Sequence, residues 1–305
     1  MRSASIMKTS IRNYRFPKPA SSATEFAWDG RQFVNSAGEH REILCYTQAD
    51  SNWSDALTLL HEQEAGSQHP IDKASRGLAI RTIDELCKSS EPLVLDVGCS
   101  SGFFLEELAV QVPRAAVMGA DYIEQPLRKL ANQFKGIPLL QFDLRHCPLP
   151  DASIDGIVCL NVLEHIDDHV AALANIFRLL KPGGIAHIEV PSGPRLYDPY
   201  DEVLMHHRRY RLGDLTALAK QTGFDVVRAT HLGFFVFPAF ALRKLWNQRW
   251  SRSTPEAKRR LVASQIRTTS ASRALGILLK LEIALGRRFR FPWGIRCVLV
   301  LQKRS

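Results

Sequence analysis

Between residues 93 and 232, short apolar runs rich in β-branched residues alternate with longer stretches whose apolar positions recur at helical spacing. Strands buried on both faces read as continuous apolar runs, and the helices covering them need only one apolar stripe. The alternation therefore points to parallel strands joined by crossover helices. It predicts strands at Leu93 to Val97, Ala116 to Ala120, Leu139 to Phe142, Ile154 to Leu160, Gly184 to Val190 and Val226 to Leu232. Helices are predicted at Phe103 to Val112, Glu124 to Gln133, His169 to Leu180 and Leu212 to Thr222. Lys181-Pro182-Gly183-Gly184 reads as a helix stop and strand start, since proline cannot continue a helix and glycine takes positive φ readily.

The flanks read differently. Residues 1 to about 50 are polar and irregular, with Pro17, Pro19 and a Ser-rich stretch, and suggest an arm with one short hairpin around Phe26 to Phe33. Helical patterns follow at Asn52 to His61 and Ile71 to Lys88, the second with Leu78, Ile80, Ile83 and Leu86 on one face and Asp72 near its start. Past Thr230 come basic helical segments, Phe237 to Trp250, Pro255 to Ile266 and Ala271 to Arg288, and then a last apolar run, Ile295 to Leu301, expected to rejoin the sheet. The expected fold class is α/β, a three-layer sandwich around a mostly parallel seven-stranded sheet. Residues 1–70 form an N-terminal arm and helical lead-in, 71–233 the core, and 234–305 a basic helical lid with the final strand of the core.

Chemistry enters at the end of the first core strand. Val94-Leu95-Asp96-Val97-Gly98 runs into Cys99-Ser100-Ser101-Gly102 and then a helical segment, the strand, glycine turn and helix arrangement that holds nucleotides. Gly98 and Gly102 let the backbone approach a ligand closely, and Asp96 offers an acceptor. The turn lacks the G-x-G-x-x-G spacing of dinucleotide folds and the lysine of a P-loop, which weakens both of those alternatives. The next strand ends in Asp121, about 20 positions on, where a carboxylate can grip a pair of ribose hydroxyls.

On these residues the chain resembles the class I methyltransferases, over about Leu93 to Thr230 and in the small-molecule, type 11 or type 23-like subgroup. The resemblance implies a Rossmann-like enzyme with S-adenosylmethionine as cofactor and S-adenosylhomocysteine as product. Asp96-Val97-Gly98-Cys99-Ser100-Ser101-Gly102 is similar to the first motif, with Ser100 where many members carry glycine. By resemblance Asp121 is the ribose-binding acid, Tyr122 and Ile123 flank the adenine, and the Asp143 of Gln141-Phe142-Asp143-Leu144 meets the adenine amino group. Pro148 to Asp155 resembles the lead-in to the fourth strand, and Asn161-Val162-Leu163-Glu164-His165-Ile166 the segment after it. The cofactor-binding set is thus Asp96, Gly98, Cys99, Gly102, Asp121, Tyr122, Ile123, Asp143, Leu144 and Asn161. Asp155 reads as structural and the Cys99 thiol as a small packed side chain.

The acceptor is less legible. Tyr197 to Tyr210 follows the fifth core strand, on the side where open α/β sheets bind ligands. It resembles a subgroup signature read here as His206, Arg208, Arg209 and Tyr210. Tyr197, His206, Arg208, Arg209 and Tyr210 are candidate acceptor-binding residues, arginine's fork suiting carboxylate or phosphate. A solvated charge face at a helix start is the plainer interpretation. Methylation of a hydroxyl needs a group to take its proton, and His165, His206 and His207 are the catalytic candidates. No Asn/Asp-Pro-Pro-Tyr/Phe tetrapeptide follows the fourth strand, which favours a small-molecule acceptor over DNA. The expected reaction is methyl transfer to an oxygen of that acceptor, ahead of a nitrogen or carbon.

Charge and composition adjust this picture slightly. Forty Lys and Arg against 31 Asp and Glu give a net charge of +9, suiting anionic partners or ordinary solubility. Basic residues such as Arg243, Lys244, Arg249, Arg287, Arg288 and Arg290 accompany apolar runs in the C-terminal helices. Such helices serve as a lid, a homodimer surface, or a peripheral membrane contact for a lipid-linked acceptor. A nucleic-acid-associated binding protein of the same fold is the alternative, though no base-stacking motif supports it. The six cysteines show no C-x-x-C pairing, so neither a disulfide framework nor a metal is expected. No signal-peptide core or run of about 20 apolar residues occurs, pointing to a cytoplasmic protein, with peripheral membrane contact as an option.

Overall fold

The structure is a computed structural model that describes residues 8–47, 67–270 and 272–304. The helix expected at Asn52 to His61 lies outside the described residues. A short helix α1 (Thr9–Arg12) precedes an antiparallel three-stranded sheet of β1 (Phe26–Trp28), β2 (Phe33–Asn35) and β3 (His40–Arg41). Trp28 pairs with Phe33, so the hairpin falls where the sequence placed it. Phe16, Phe26 and Phe33 are fully buried against the main domain, making the arm part of its core.

The main sheet begins with β4 (Ile43–Cys45) and continues after α2 (Pro70–Leu86) with β5 (Leu93–Val97), α3 (Phe103–Gln111), β6 (Ala116–Asp121), α4 (Glu124–Gln133) and β7 (Leu139–Gln141). Then come β8 (Ile154–Leu160), α5 (His169–Leu179), β9 (Leu180–Pro191), the one-turn α6 (Pro199–Val203), α7 (Leu212–Gln221) and β10 (Phe224–Leu232). Helices α8 (Phe237–Asn247), α9 (Pro255–Ser270) and α10 (Arg273–Leu285) intervene before β11 (Arg296–Lys303). The spatial order is β10-β11-β9-β8-β5-β6-β7-β4, with β11 antiparallel to both neighbours and the other pairings parallel.

The sheet has eight strands, one more than the sequence pattern indicated. The extra strand, β4, is only three residues long and sits in a polar segment, so it offers no period to read. A second difference concerns the Lys181 to Gly184 turn. The helix stops at Leu179, but Leu180 already pairs with Ile154, and the turn bulges out before pairing resumes at Gly156 and Ile185. A Cβ on Gly184 would come within 2.8 Å of the Lys181 carbonyl, so the bulge requires glycine there.

Side chains alternate across the central strands into two cores, giving the three layers. Leu93, Leu95 and Val97 of β5 face one side with α5 and α7, while Val94 faces the other with α2, α3 and α4. The chain runs outward through β5, β6 and β7, then returns to β8 and β9 on the far side of β5. The strand order therefore reverses between β5 and β8, opening a crevice at their carboxyl ends.

Candidate cofactor and acceptor site

A cavity of about 750 Å³ occupies that crevice. It is lined by the segments that leave β5, β6, β7 and β8, and closed on its far side by residues of α6, α8 and α9. The volume suits a drug-sized ligand together with a second small molecule.

On the strand side the backbone is shaped by positive φ angles. Gly98 (φ 76°), Ser100 (φ 45°) and Gly102 (φ 73°) turn the chain sharply from β5 into α3, and a Cβ on Gly98 would collide with Val162. Gly98 and Cys99 donate their amides to the Ala120 carbonyl at 2.8 and 3.0 Å, locking the turn to β6. Asp121 ends β6 with its carboxylate set by the Ser100 and Ile123 amides, each at 3.0 Å. Asp96 is almost fully buried, and burial together with the Asp121 charge holds its carboxyl well above the usual carboxylate range. Tyr122, Ile123, Asp143, Leu144 and Asn161 also line the cavity. For Asp143 burial would raise the pKa, but the side-chain and amide bonds from Arg145, the shortest at 2.6 Å, prevail and hold it low. Gly102 does not line the cavity; it caps α3, where a Cβ would press on Leu130 at 2.7 Å. Cys99 also lines the cavity and is buried in the core beneath the turn. Asp155 accepts from the Leu93 amide at 2.9 Å and from Lys181 at 2.7 Å, a structural tie between strands.

The opposite wall is built from side chains. Asp198 caps α6 by accepting from the Tyr200 amide at 3.0 Å, and Asp201 closes a reciprocal capping box. Both carboxylates are buried and are bridged by Lys244 of α8, whose Nζ lies 2.6 Å from Asp198 and 3.0 Å from Asp201. Arg209 donates to both oxygens of Asp201, at 2.9 and 3.2 Å, and His206 Nδ1 lies 2.8 Å from the same carboxylate. Burial alone would raise the Asp201 pKa; the bond from His206 and the charges of Lys244 and Arg209 hold it far below the usual range instead. Burial lowers the His206 pKa against the pull of the Asp201 carboxylate that orients the ring. The His206 ring meets that of His165 edge to face, with centroids 4.7 Å apart. Glu164, next to His165, is fully buried, and burial raises its pKa to about 8.

The three candidate histidines, His165, His206 and His207, all line the cavity. Of the expected acceptor-binding residues, Arg209 lines it too, with its guanidinium committed to Asp201 and, through Nε, to the Ser192 carbonyl. Tyr197, Arg208 and Tyr210 do not reach the cavity. Their polar ends bond the carbonyls of His206, of Ile166 and Asp167, and of Leu163 respectively, so they hold the loops that carry the histidines. The sequence reading overlooked Asp198, Asp201 and the part Lys244 plays. The Asp-x-x-Asp spacing of a capping box was the one available signal for the acids; nothing local marks Lys244, 43 residues beyond Asp201.

Residues 95–188 match the family described as a methyltransferase domain. The chain is 31% identical over 135 residues to a probable S-adenosylmethionine-dependent methyltransferase of Mycolicibacterium smegmatis, covering 44% of this chain and 52% of that protein. It is 30% identical over 177 residues to an O-methyltransferase of Aspergillus nomiae, covering 53% of this chain and 77% of that one. The chain spans about half the length of several curated relatives it matches. Among solved structures, phosphoethanolamine N-methyltransferase 2 of Haemonchus contortus, in complex with S-adenosyl-L-methionine, superposes with a TM-score of 0.56 at 15% identity. That match covers 97% of this chain and 72% of the other, and at this identity it shows the shared fold alone.

Proposed function

Because the chain belongs to the class I S-adenosylmethionine-dependent methyltransferases, we propose that it methylates an oxygen of a small, lipid-linked acceptor presented at a membrane surface. The family's cofactor supplies an electrophilic methyl group on a positively charged sulfur. The strand-side residues fit it: the glycine at 98 keeps the turn clear where a side chain would collide, and Asp121 stands at the strand end facing the cavity. In this reading Asp121 holds the ribose hydroxyls, Tyr122, Ile123 and Leu144 flank the adenine, and Asp143 reaches its amino group. Asp96, Cys99 and Asn161 complete the cofactor contacts, while Gly102 fixes the helix start behind them. On the acceptor side, His165, His206 and His207 all line the cavity, and in this reading they are the candidates to take the hydroxyl proton.

One observation carries the lipid-linked part, the two-faced character of α8. Phe240, Arg243 and Lys244 look into the cavity, while Leu242, Leu245 and Trp246 on the opposite side of the same helix are more than half exposed. Trp250 one turn on, Ile277, Leu278 and Leu281 of α10, and Phe289 and Trp293 are exposed as well. Arg249, Arg287, Arg288 and Arg290 are exposed among them. Apolar side chains fringed by arginine suit the boundary of an anionic bilayer. No helix among the described residues is long and apolar enough to cross a membrane, so the contact is peripheral in this reading.

Incubating the protein with a cell lipid extract and methyl-labelled cofactor tests both parts by mass spectrometry. Label in an organic-phase product is expected. Label confined to water-soluble products removes the lipid-linked acceptor, and absence of cofactor binding by calorimetry removes methyl transfer.

A further inference from the structure

The deepest part of the acceptor side presents a group of ligands that methyl transfer by itself does not require. Glu164, His165 and His206 each offer a ligating atom, and these atoms all lie within 4.8 Å of one another. Glu164 is fully buried yet borders the cavity, and neither of its carboxylate oxygens has a hydrogen-bond partner on another described residue. A buried carboxylate without a partner is costly unless a proton or a cation completes it.

The surroundings favour the cation. His206 gives Nδ1 to Asp201 at 2.8 Å, which leaves Nε2 as its ligating atom and reproduces the carboxylate–histidine pairing that orients metal-bound imidazoles. Asp201 is itself fixed by Arg209 and Lys244. The guanidinium of Arg209 is thereby neutralised, and that of Arg296, the other cation near Glu164, is paired with Asp72. The three ligands come from two elements that are held rigidly: the turn Leu163–His165 and the loop after α6, which are joined where the His207 amide donates to the Glu164 carbonyl at 2.8 Å.

We propose that Glu164, His165 and His206 bind one divalent transition-metal ion at the acceptor end of the cavity. Two imidazoles and one carboxylate form a set that suits zinc, manganese, iron(II) or cobalt rather than the all-oxygen cages of calcium and magnesium. Three protein ligands leave coordination positions open toward the cavity, as in catalytic rather than structural sites. Resting on the reading of an oxygen acceptor, the ion would polarise the incoming hydroxyl and lower its pKa. With His165 and His206 serving as ligands rather than as the base, the O–H bond then breaks with its proton passing to water. The oxygen lone pair forms the new O–C bond, and the S–CH3 pair returns to sulfur. The sequence offered no metal spacing because its ligands lie in segments far apart in the chain.

Cobalt(II) is the probe. The full chain, stripped with a chelator, is titrated with Co2+ and followed by visible absorption, with cofactor binding measured separately by calorimetry. One equivalent per chain is expected, and His165→Ala and Glu164→Gln should each weaken it at least tenfold. Cofactor binding retained in the half-buried His165→Ala variant would establish that it is folded. Substoichiometric uptake by the wild type, or uptake unchanged in both variants, overturns the site. Co2+ uptake by a chain that binds no cofactor would leave the metal site standing and remove the methyltransferase reading instead.

Discussion

The two walls of the cavity are made by different means. The strand-side wall is backbone: amides of Gly98, Cys99, Ser100 and Ile123 bond carbonyls or carboxylates within 23 residues of one another, and positive φ angles set the path. The opposite wall is a web of buried charges, with Asp198 and Asp201 of α6 joined to Lys244 of α8 and to Arg209. A backbone wall is fixed by local sequence and keeps its shape when a surface side chain changes. A charge web is assembled across long loops, and it fails as a unit when one member is removed.

The largest expected effect follows from that contrast. Asp201→Asn leaves Lys244 and Arg209 buried with half their partners, and a broken buried pair costs about 3 to 5 kcal/mol. The midpoint of denaturant unfolding should fall accordingly, with no comparable drop for the exposed pair of Arg304 and Asp225, where Asp225→Asn should leave the midpoint nearly unchanged. Equal losses for the two variants would erase the distinction between the walls.

On the strand side the corresponding test is of binding rather than stability. Asp121→Ala removes a carboxylate that offers charge-assisted bonds to a diol, each contributing about 1.5 to 3 kcal/mol. Cofactor affinity should fall about a hundredfold by calorimetry, equivalent to roughly 2.7 kcal/mol. An affinity within threefold of the parent chain would mean that the ribose lies elsewhere. A smaller effect is expected for Gly98→Ala, which must hold alanine at φ 76° and push against Val162. The backbone part costs about 1 to 2 kcal/mol. Adding Val162→Ala should recover the steric part of the loss and leave the backbone part, so no recovery at all would place the strain outside this contact.

The same contrast explains what could be read from sequence. The turn from Asp96 to Gly102, Asp121 and the strand starts at Leu139 and Ile154 were legible because each is written in a few consecutive residues, as glycines, a strand-terminal acid and buried apolar runs. Lys244 was noticed only as one of several basic residues in a helical segment, because burial by partners 43 and 46 positions away leaves no local trace. Tyr197, Arg208 and Tyr210 looked like acceptor contacts for a related reason. Chain position put them beside the cavity, but only the fold reveals that their polar ends are spent on the carbonyls of neighbouring loops. Strand β4 was missed because three residues cannot establish a period of two.

The smallest effect probes the outer face of the charge wall, where α8 turns Leu242 to solvent at 71% exposure. Burying an exposed leucine side chain is favourable by about 1.5 kcal/mol, so Leu242→Ser should weaken partition into anionic vesicles by about tenfold. The neighbouring Arg249 contributes by charge, about 1 kcal/mol near such a surface, and Arg249→Gln should reduce binding several-fold at low salt and much less at high salt. Neither substitution touches the buried web that holds the helix in place, so the unfolding midpoint should stay where it is. A vesicle affinity indifferent to both changes would separate the inner face of α8, which shapes the acceptor side, from any role of its outer face at a membrane. A loss seen only with Leu242→Ser would make the contact one of apolar burial alone.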